Sequence, residues 1–233
     1  MLPAIDLALD YLKQRGATGK AAYVRYAAIK NGVMHSRAIK DAGDYSAIRD
    51  RLWIAIYDAV FDFLNSNQQA GTASRPMTTA LAQAYLETAD TAYVDGGGSL
   101  PIDEDTQAWA KGELTAQMGY ADSLFETLKA LRKEGDFDAN TEAANRADSW
   151  TSAMDGYYNA IKLMGAGNKM LTWYLGETEK HCDTCLDLNL QRHRAAWYSA
   201  RGYTPRKPGS ATDCGGWNCD CQLLDDEGNE FMI

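Results

Sequence analysis

The sequence predicts a mainly helical protein, with a helical-bundle body and a small C-terminal α+β module stapled by clustered cysteines. Three observations support this fold class. Apolar residues recur at helical spacing before residue 175, the texture of the sequence changes after Leu175, and all five cysteines fall between residues 182 and 221. We therefore expect a helical body over 1–175 and a small cysteine-rich module over 176–233.

Three apolar stripes predict the helices of the body. The first has steps of four, four, four and three residues, and the other two alternate steps of four and three. Such spacing places the apolar side chains on one face of a helix that packs along another helix. The stripes are Ile48, Leu52, Ile56, Val60 and Phe63; Leu114, Met118, Ala121, Phe125 and Leu128; and Trp150, Met154, Tyr157, Ile161 and Met164.

Loop and capping signals separate these helices. NQQAGTASRP over 67–76 and VDGGGS over 94–99 predict connecting loops. Gly135 predicts a break before a helix capped by Asn140 or Thr141. The acidic residues at 103–105 follow Pro101, and we interpret them as charges that favour the start of a helix rather than as a carboxylate active site.

The segment after Leu175 predicts a compact module with little core of its own. We expect short strands at CQLL and NEFMI and a turn or two of helix around RHRAAWYSARG. A unit of nearly sixty residues buries too little apolar surface to be strongly stable alone. It therefore requires a staple, by which we mean a bound metal ion or disulfide bonds that hold its segments together.

The charge and the N-terminal segment limit the possible functions. The formal net charge of −9 disfavours a surface that binds the nucleic-acid backbone, and we interpret the basic residues over 192–194 and 201–207 as a solvated face. Asp6 and Asp10 interrupt the apolar N-terminus, which argues against an export signal, and no apolar run is long enough to span a bilayer. In a reducing cytoplasm, clustered cysteines are typical metal ligands or catalytic groups.

The cysteine spacing predicts a metal site. Cys182 and Cys185 form a first knuckle, and Cys214, Cys219 and Cys221 supply a second, so either Cys219 or Cys221 is left over from a four-ligand site. His181 is poorly placed to share the ion of its neighbour Cys182, and His193 is a reserve ligand. A structural zinc contributes about 10 kcal/mol or more, whereas a disulfide contributes roughly 3–4 kcal/mol. We expect zinc, with disulfides as the alternative.

Motifs of catalysis are absent from the sequence, and we expect no enzyme activity. Cys182–Cys185 does not sit in a strand–helix–strand unit, as a thioredoxin-like pair does. No deaminase motif, phosphate loop or Ser/His/Asp arrangement accompanies it. The alternatives that stay open are a zinc-ribbon-like module that binds nucleic acid and a thiol- or metal-dependent enzyme.

In the C-terminal module, Trp173 precedes the Cys182–Cys185 pair, and a loop with two prolines leads to the Cys219–Cys221 pair. This order of motifs resembles that of the minor head, or head-morphogenesis, proteins of tailed bacteriophages. In that family a Trp precedes a Cys-x-x-Cys, a turn follows, and a prolyl loop leads to a Cys-x-Cys pair. The resemblance covers about a quarter of the chain. The matching residues are Trp173, His181, Cys182, Cys185, Leu188, Asn189, Pro205, Pro208, Cys214, Gly215, Gly216, Trp217, Cys219 and Cys221.

This chain departs from the family pattern at three places. The family usually closes with His-Pro-x-Cys-Arg-Cys, whereas four residues separate Cys214 from Cys219 here, and Asp220 replaces the Arg. The turn holds Leu190 where glycine is usual. If the family histidine is a ligand, the resemblance implies that Cys214 takes its role beside Cys182, Cys185 and one of the last two cysteines.

The resemblance implies a structural protein of the phage virion. Such a protein binds the portal protein, the major capsid protein or both, in multiple copies, while the head assembles in the cytoplasm of the bacterial host. Neither a membrane nor direct contact with DNA is expected, because an acidic helical body suits contacts between proteins.

Overall fold

The computed structural model describes residues 44–177, 180–217 and 219–233. Over these ranges the protein is mainly helical, with four long helices before a small sheet, and the predicted fold class is confirmed. The N-terminal segment considered for an export signal lies outside the described residues. The long helices are α1 (Tyr45–Leu64), α2 (Ala70–Gly96), α3 (Glu104–Glu134) and α4 (Ala139–Ala166).

The remaining elements are short and belong to the C-terminal part. In chain order they are β1 (Met170–Tyr174), α5 (Asp183–Leu188), β2 (Arg192–Arg194), α6 (Ala195–Ala200) and β3 (Gln222–Leu224). The helix expected within RHRAAWYSARG is α6, and the strand expected at CQLL is β3. The strand β1 lies before residue 175/176, where the boundary between helical body and cysteine-rich module was predicted. That boundary stays a prediction.

The described chain divides into two compact units, and both include segments of α2, α3 and α4. The first unit covers 44–87 and 112–151, and the second covers 88–111 together with the chain from 152 onwards. The cysteine-rich segment therefore shares its unit with the ends of long helices.

The core of the first unit is built on the apolar stripe of α1. All five stripe residues of α1 are buried. The polar atoms of buried aromatic side chains on α1 form hydrogen bonds. The Trp53 indole donates to Asp148 at 2.8 Å, and the Tyr57 hydroxyl donates to Asn140 at 2.7 Å. The guanidinium of Arg132 lies 4.3 Å from the centre of the Phe63 ring and donates to the Phe63 carbonyl oxygen.

The acidic residues at 103–105 coincide with the start of α3, whereas the start of α4 differs from the prediction. The Asp103 carboxylate accepts from the Thr106 backbone N–H at 2.9 Å, which lowers the pKa of Asp103. Capping of α4 by Asn140 or Thr141 was predicted and is wrong, because Asp138 accepts from the Thr141 N–H at 2.8 Å. Asn140 is instead buried as the partner of Tyr57.

The loop predicted over 67–76 is shorter than expected. Helix α2 begins at Ala70 and contains Pro76. Its apolar stripe extends backwards through the buried residues Leu81, Met77 and Ala73, at steps of four. The free energy gained by burying this face of the helix exceeds the cost of the backbone hydrogen bond that proline cannot donate.

A three-stranded antiparallel sheet organises the second unit. The strand order is β2–β1–β3, with Leu171 opposite His193 and Trp173 opposite Leu223. Leu171 and Trp173 alternate with more exposed residues, so one face of β1 enters a core that also contains Tyr198. After β3, the Phe231 N–H donates to the Leu223 carbonyl oxygen at 2.8 Å.

The segment after β3 packs on α4, within the same unit. The Asn159 side chain accepts from the Ile233 N–H at 3.1 Å, and the Lys162 ammonium lies 4.9 Å from the centre of the Phe231 ring. Phe231 and Met232 are buried. The core of the C-terminal part therefore includes residues of α4, among them Leu163.

None of the helices among the described residues is long and apolar enough to cross a membrane.

Candidate metal centre

A short helix positions the first two cysteines. Cys182 is the residue that precedes α5, with extended backbone angles, and Cys185 lies in the first turn of that helix. The Leu186 N–H donates to the Cys182 carbonyl oxygen at 3.0 Å, which closes the turn between the two thiols. Cys185 is buried, and Cys182 is half-buried.

Tight turns position the other three cysteines. Gly216 has a φ of +74°, and a Cβ at this position would lie 1.9 Å from the Lys207 carbonyl oxygen. Only glycine fits such a backbone approach. Cys214 precedes this turn, and Cys221 immediately precedes β3 and is buried.

The five thiols lie in two overlapping groups. Cys182, Cys185 and Cys214 form the first triad, and Cys185, Cys219 and Cys221 form the second; in each, the three sulfurs lie within 4.8 Å of one another. All five cysteines are free, so no disulfide links them. The clusters could hold a metal ion.

Hydrogen bonds between Thr184 and Asp213 tie the two cysteine segments together. The Asp213 carboxylate accepts from the Thr184 backbone N–H at 2.9 Å and from its hydroxyl at 2.6 Å. The Asp213 N–H donates back to the Thr184 hydroxyl oxygen at 3.2 Å. These bonds lower the pKa of the Asp213 carboxyl and align Cys182 and Cys185 with Cys214.

The pKa values of two thiols in the second triad are shifted in opposite directions. Hydrogen bonds to Cys219 and Cys221, reinforced by burial, raise the pKa of Cys185. The hydrogen bonds from Cys185 and Cys219 lower the pKa of Cys221. One thiol of this buried group therefore donates hydrogen bonds, and another sulfur accepts them. A metal cation binds thiolates, so it can take the place of the protons in these hydrogen bonds.

A buried indole N–H supports the presence of negative charge beside the second triad. The side chain of Trp173 is fully buried, and its Nε1 has no hydrogen-bond partner within the described ranges. This indole is among the groups that lower the pKa of Cys221. A buried donor without an acceptor is costly, and a metal-bound thiolate at Cys221 would accept a hydrogen bond from the indole N–H. The residues thus fit a thiolate-bound ion.

Backbone contact between Gly176 and Asp220 braces the second triad. A Cβ at Gly176 would lie 2.0 Å from the Asp220 carbonyl oxygen, so no larger residue fits without displacing the chain. Asp220, between Cys219 and Cys221, also accepts from Arg206 at 3.1 Å. Asp220 is therefore held by an arginine from the loop that contains Pro205 and Pro208.

The two histidines of the cysteine region have different surroundings. The Nδ1 atom of His181 lies 3.9 Å from the Cys221 sulfur, although His181 is adjacent in sequence to Cys182. His193 stacks on Trp197 with ring centres 3.7 Å apart, and its Nε2 is 3.0 Å from Gln191. Among the described residues, His193 is not in a group with the cysteines.

Sequence reasoning did not identify Trp173, Thr184, Asp213 and Gly176 as parts of this centre by their chemistry. Thr184 and Asp213 carried a signal, since a hydroxyl lies inside the Cys-x-x-Cys and a carboxylate lies next to Cys214. Gly176 and the indole of Trp173 carried none, because their roles depend on contacts with a segment more than forty residues away.

Comparison with known proteins gives no match. No protein-family model matches the sequence, and no curated protein or solved structure is significantly similar to it.

Proposed function

We propose that this chain is a non-enzymatic assembly protein of a tailed-phage head, with a C-terminal module stapled by zinc. The observation that carries the proposal is that cysteines from two distant segments meet around the buried Cys185 in the order of motifs that resembles the minor head proteins. Such an ion would add to the stability of the core that the module shares with α4.

The turn at Leu190 gives independent support to the resemblance. Leu190 has a φ of +62° and is exposed, although leucine is strained in this conformation. The family pattern has glycine at this position, the residue that adopts a positive φ without strain. The backbone shape expected from the family is thus kept, while the residue that usually provides it is replaced.

The charge distribution supports protein partners rather than nucleic acid. Arg192 is paired with Asp226 at 2.6 Å, Arg206 with Asp220, and Arg194 donates to Asn168. Arginine side chains that are already paired within the protein are less available to bind phosphate groups. Exposed apolar side chains of the same module, such as Leu186 and Trp217, suit contact with another protein. We propose the portal protein, the major capsid protein or both as partners, contacted by several copies in the virion.

The proposal is tested by co-purifying the full chain with the portal and major capsid proteins of the same phage. We expect stable binding to at least one of them and incorporation into heads assembled in the host cytoplasm. A Cys185→Ser variant is expected to lose this binding, whereas Leu86→Ala, at an exposed residue of the body, is expected to keep it. Absence from heads together with steeply salt-dependent DNA binding would favour the zinc-ribbon alternative.

A further inference from the structure

The arrangement of the five sulfurs differs from that of a site for one ion. Four thiolates around one tetrahedral zinc, with bonds of about 2.3 Å, lie roughly 3.8 Å from one another. Over residues 44–177, 180–217 and 219–233, the cysteines form two groups of three and no group of four. Cys185 is the member that the two groups share.

We propose that the module binds two zinc ions bridged by the Cys185 thiolate. The first triad holds one ion through Cys182, Cys185 and Cys214, and the second triad holds the other through Cys185, Cys219 and Cys221. This inference rests on the metal staple of the proposed function and specifies its composition.

Each ion needs a fourth ligand, and the surroundings of the triads differ in what they offer. His181 Nδ1, at 3.9 Å from the Cys221 sulfur, is close to the spacing of two ligands on one ion, and movement of its ring towards the other two sulfurs would complete the second site. Cys182 and Cys214 are only half-buried, so solvent can complete the first site.

The balance of charge favours two ions over one in this buried place. Two divalent ions with five thiolates leave a single negative charge, whereas one ion with four thiolates leaves two and strands the fifth thiol. Cys185 and Cys221 are each only 1% exposed. Because a net charge is expensive to bury, the smaller residual charge is preferred.

The braces around the cysteines also come in two separate sets. The Thr184–Asp213 hydrogen bonds join the two segments that supply the first triad. The close approach of Gly176 to Asp220 fixes the backbone between Cys219 and Cys221, which belong to the second triad. Each triad is therefore supported independently of the other, as two sites require.

The test is the metal content of the full chain, reduced and stripped of metal and then titrated with zinc under native mass spectrometry. We expect two ions per chain. With ¹¹³Cd²⁺ as the probe, NMR is expected to give two cadmium signals that split each other through the shared sulfur. A single ion per chain overturns the inference and leaves the staple intact, whereas no ion overturns both.

A matched set of serine variants tests the bridge. Cys214→Ser and Cys219→Ser each damage one triad, so each variant is expected to retain one ion, and Cys185→Ser is expected to weaken both sites at least tenfold. The wild-type titration does not depend on the folding of these variants. Retention of two ions by Cys185→Ser, or two cadmium signals without mutual splitting, would contradict the bridge.

Discussion

In α1, a run of apolar side chains at helical spacing is buried from Ile48 to Phe63, whereas the most buried residues of the cysteine module (176–233) include two cysteines and rest on glycine turns. The first arrangement is cohesive through repeated apolar contacts, each of modest strength. In the second, the thiols of Cys185 and Cys221 are buried together with apolar side chains such as Tyr198 and Leu223. If zinc binds as proposed, the stability of the body is shared among many contacts, whereas that of the module depends in addition on one centre.

Removal of metal is expected to separate the two regions most strongly. If the module binds zinc as proposed, chelation should lower its free energy of unfolding by about 10 kcal/mol, because ion binding and folding are coupled in small zinc modules. Hydrogen exchange is expected to lose protection at Leu223 and Tyr198 while the amides of α1 stay protected. A chelator presaturated with zinc is the control, and unchanged protection of the module would refute the metal staple.

A cavity in the body is expected to give the reverse pattern. Ile56 is fully buried, so Ile56→Ala should lower the free energy of unfolding of the first unit by about 2–5 kcal/mol, as measured by denaturant titration. Its metal content should stay that of the wild type. Leu86→Ala, at an exposed apolar residue, is the control and should change little. Loss of metal from Ile56→Ala would show that the two regions are not independent.

A methyl group at Gly176 is expected to damage the module alone. Gly176→Ala forces the backbone away from Asp220. The free energy of unfolding of the module should fall by roughly 1–3 kcal/mol, as it does when a core is overpacked. Gly71→Ala is the matched control, since nothing lies within 4 Å of the added Cβ there and alanine favours the helix. The measurement is the zinc affinity of each variant, and equal affinities would contradict the close approach.

The cap at Asp103 is expected to make a smaller, pH-dependent contribution. Asp103→Ala should cost about 1 kcal/mol. The native pKa of Asp103 lies below its ordinary value because the carboxylate accepts from the Thr106 N–H, so the stabilisation is present above that ordinary value and is lost as pH falls through the native pKa. Asp103→Asn should keep the cap without the acid dependence. Identical acid profiles of wild type and Asn variant would oppose this assignment.

The smallest expected effect is a gain in stability at Leu190. Leu190→Gly removes an exposed leucine from a positive φ and should stabilise the module by about 0.5–1 kcal/mol. Leu186→Gly is the matched control: Leu186 is also exposed but is helical, so glycine should destabilise there. Thermal unfolding of the metal-loaded proteins measures both, and a loss of stability in Leu190→Gly would count against strain at the turn.

Much of the fold could be predicted because burial in helices leaves a periodic record. The stripe of α1 predicted its buried face, and VDGGGS predicted the end of α2 at Gly96. The strand β1 was missed because MLTWY follows α4 closely and was included in a helical pattern. Only Leu171 and Trp173 alternate there, which is a short signal for a strand.

The site could be predicted only as far as its ligand types. The spacing of the cysteines indicates which thiols meet but not their grouping, since the shared position of Cys185 depends on turns around Gly215 and Gly216. The contact of Gly176 with Asp220 is likewise a property of the folded backbone. Such contacts between distant segments have no local signature in a single sequence.

The Thr184–Asp213 hydrogen bonds have a consequence for the order of events when an ion arrives. Two segments separated along the chain must meet before their sulfurs can share a cation, and closing the intervening loop costs entropy. The backbone N–H groups and side chains of Thr184 and Asp213 join the two segments through bonds that involve no sulfur. If zinc binds as proposed, these bonds would reduce the chain motion that loading requires, and the rate would depend more on dehydration of the ion and deprotonation of the thiols.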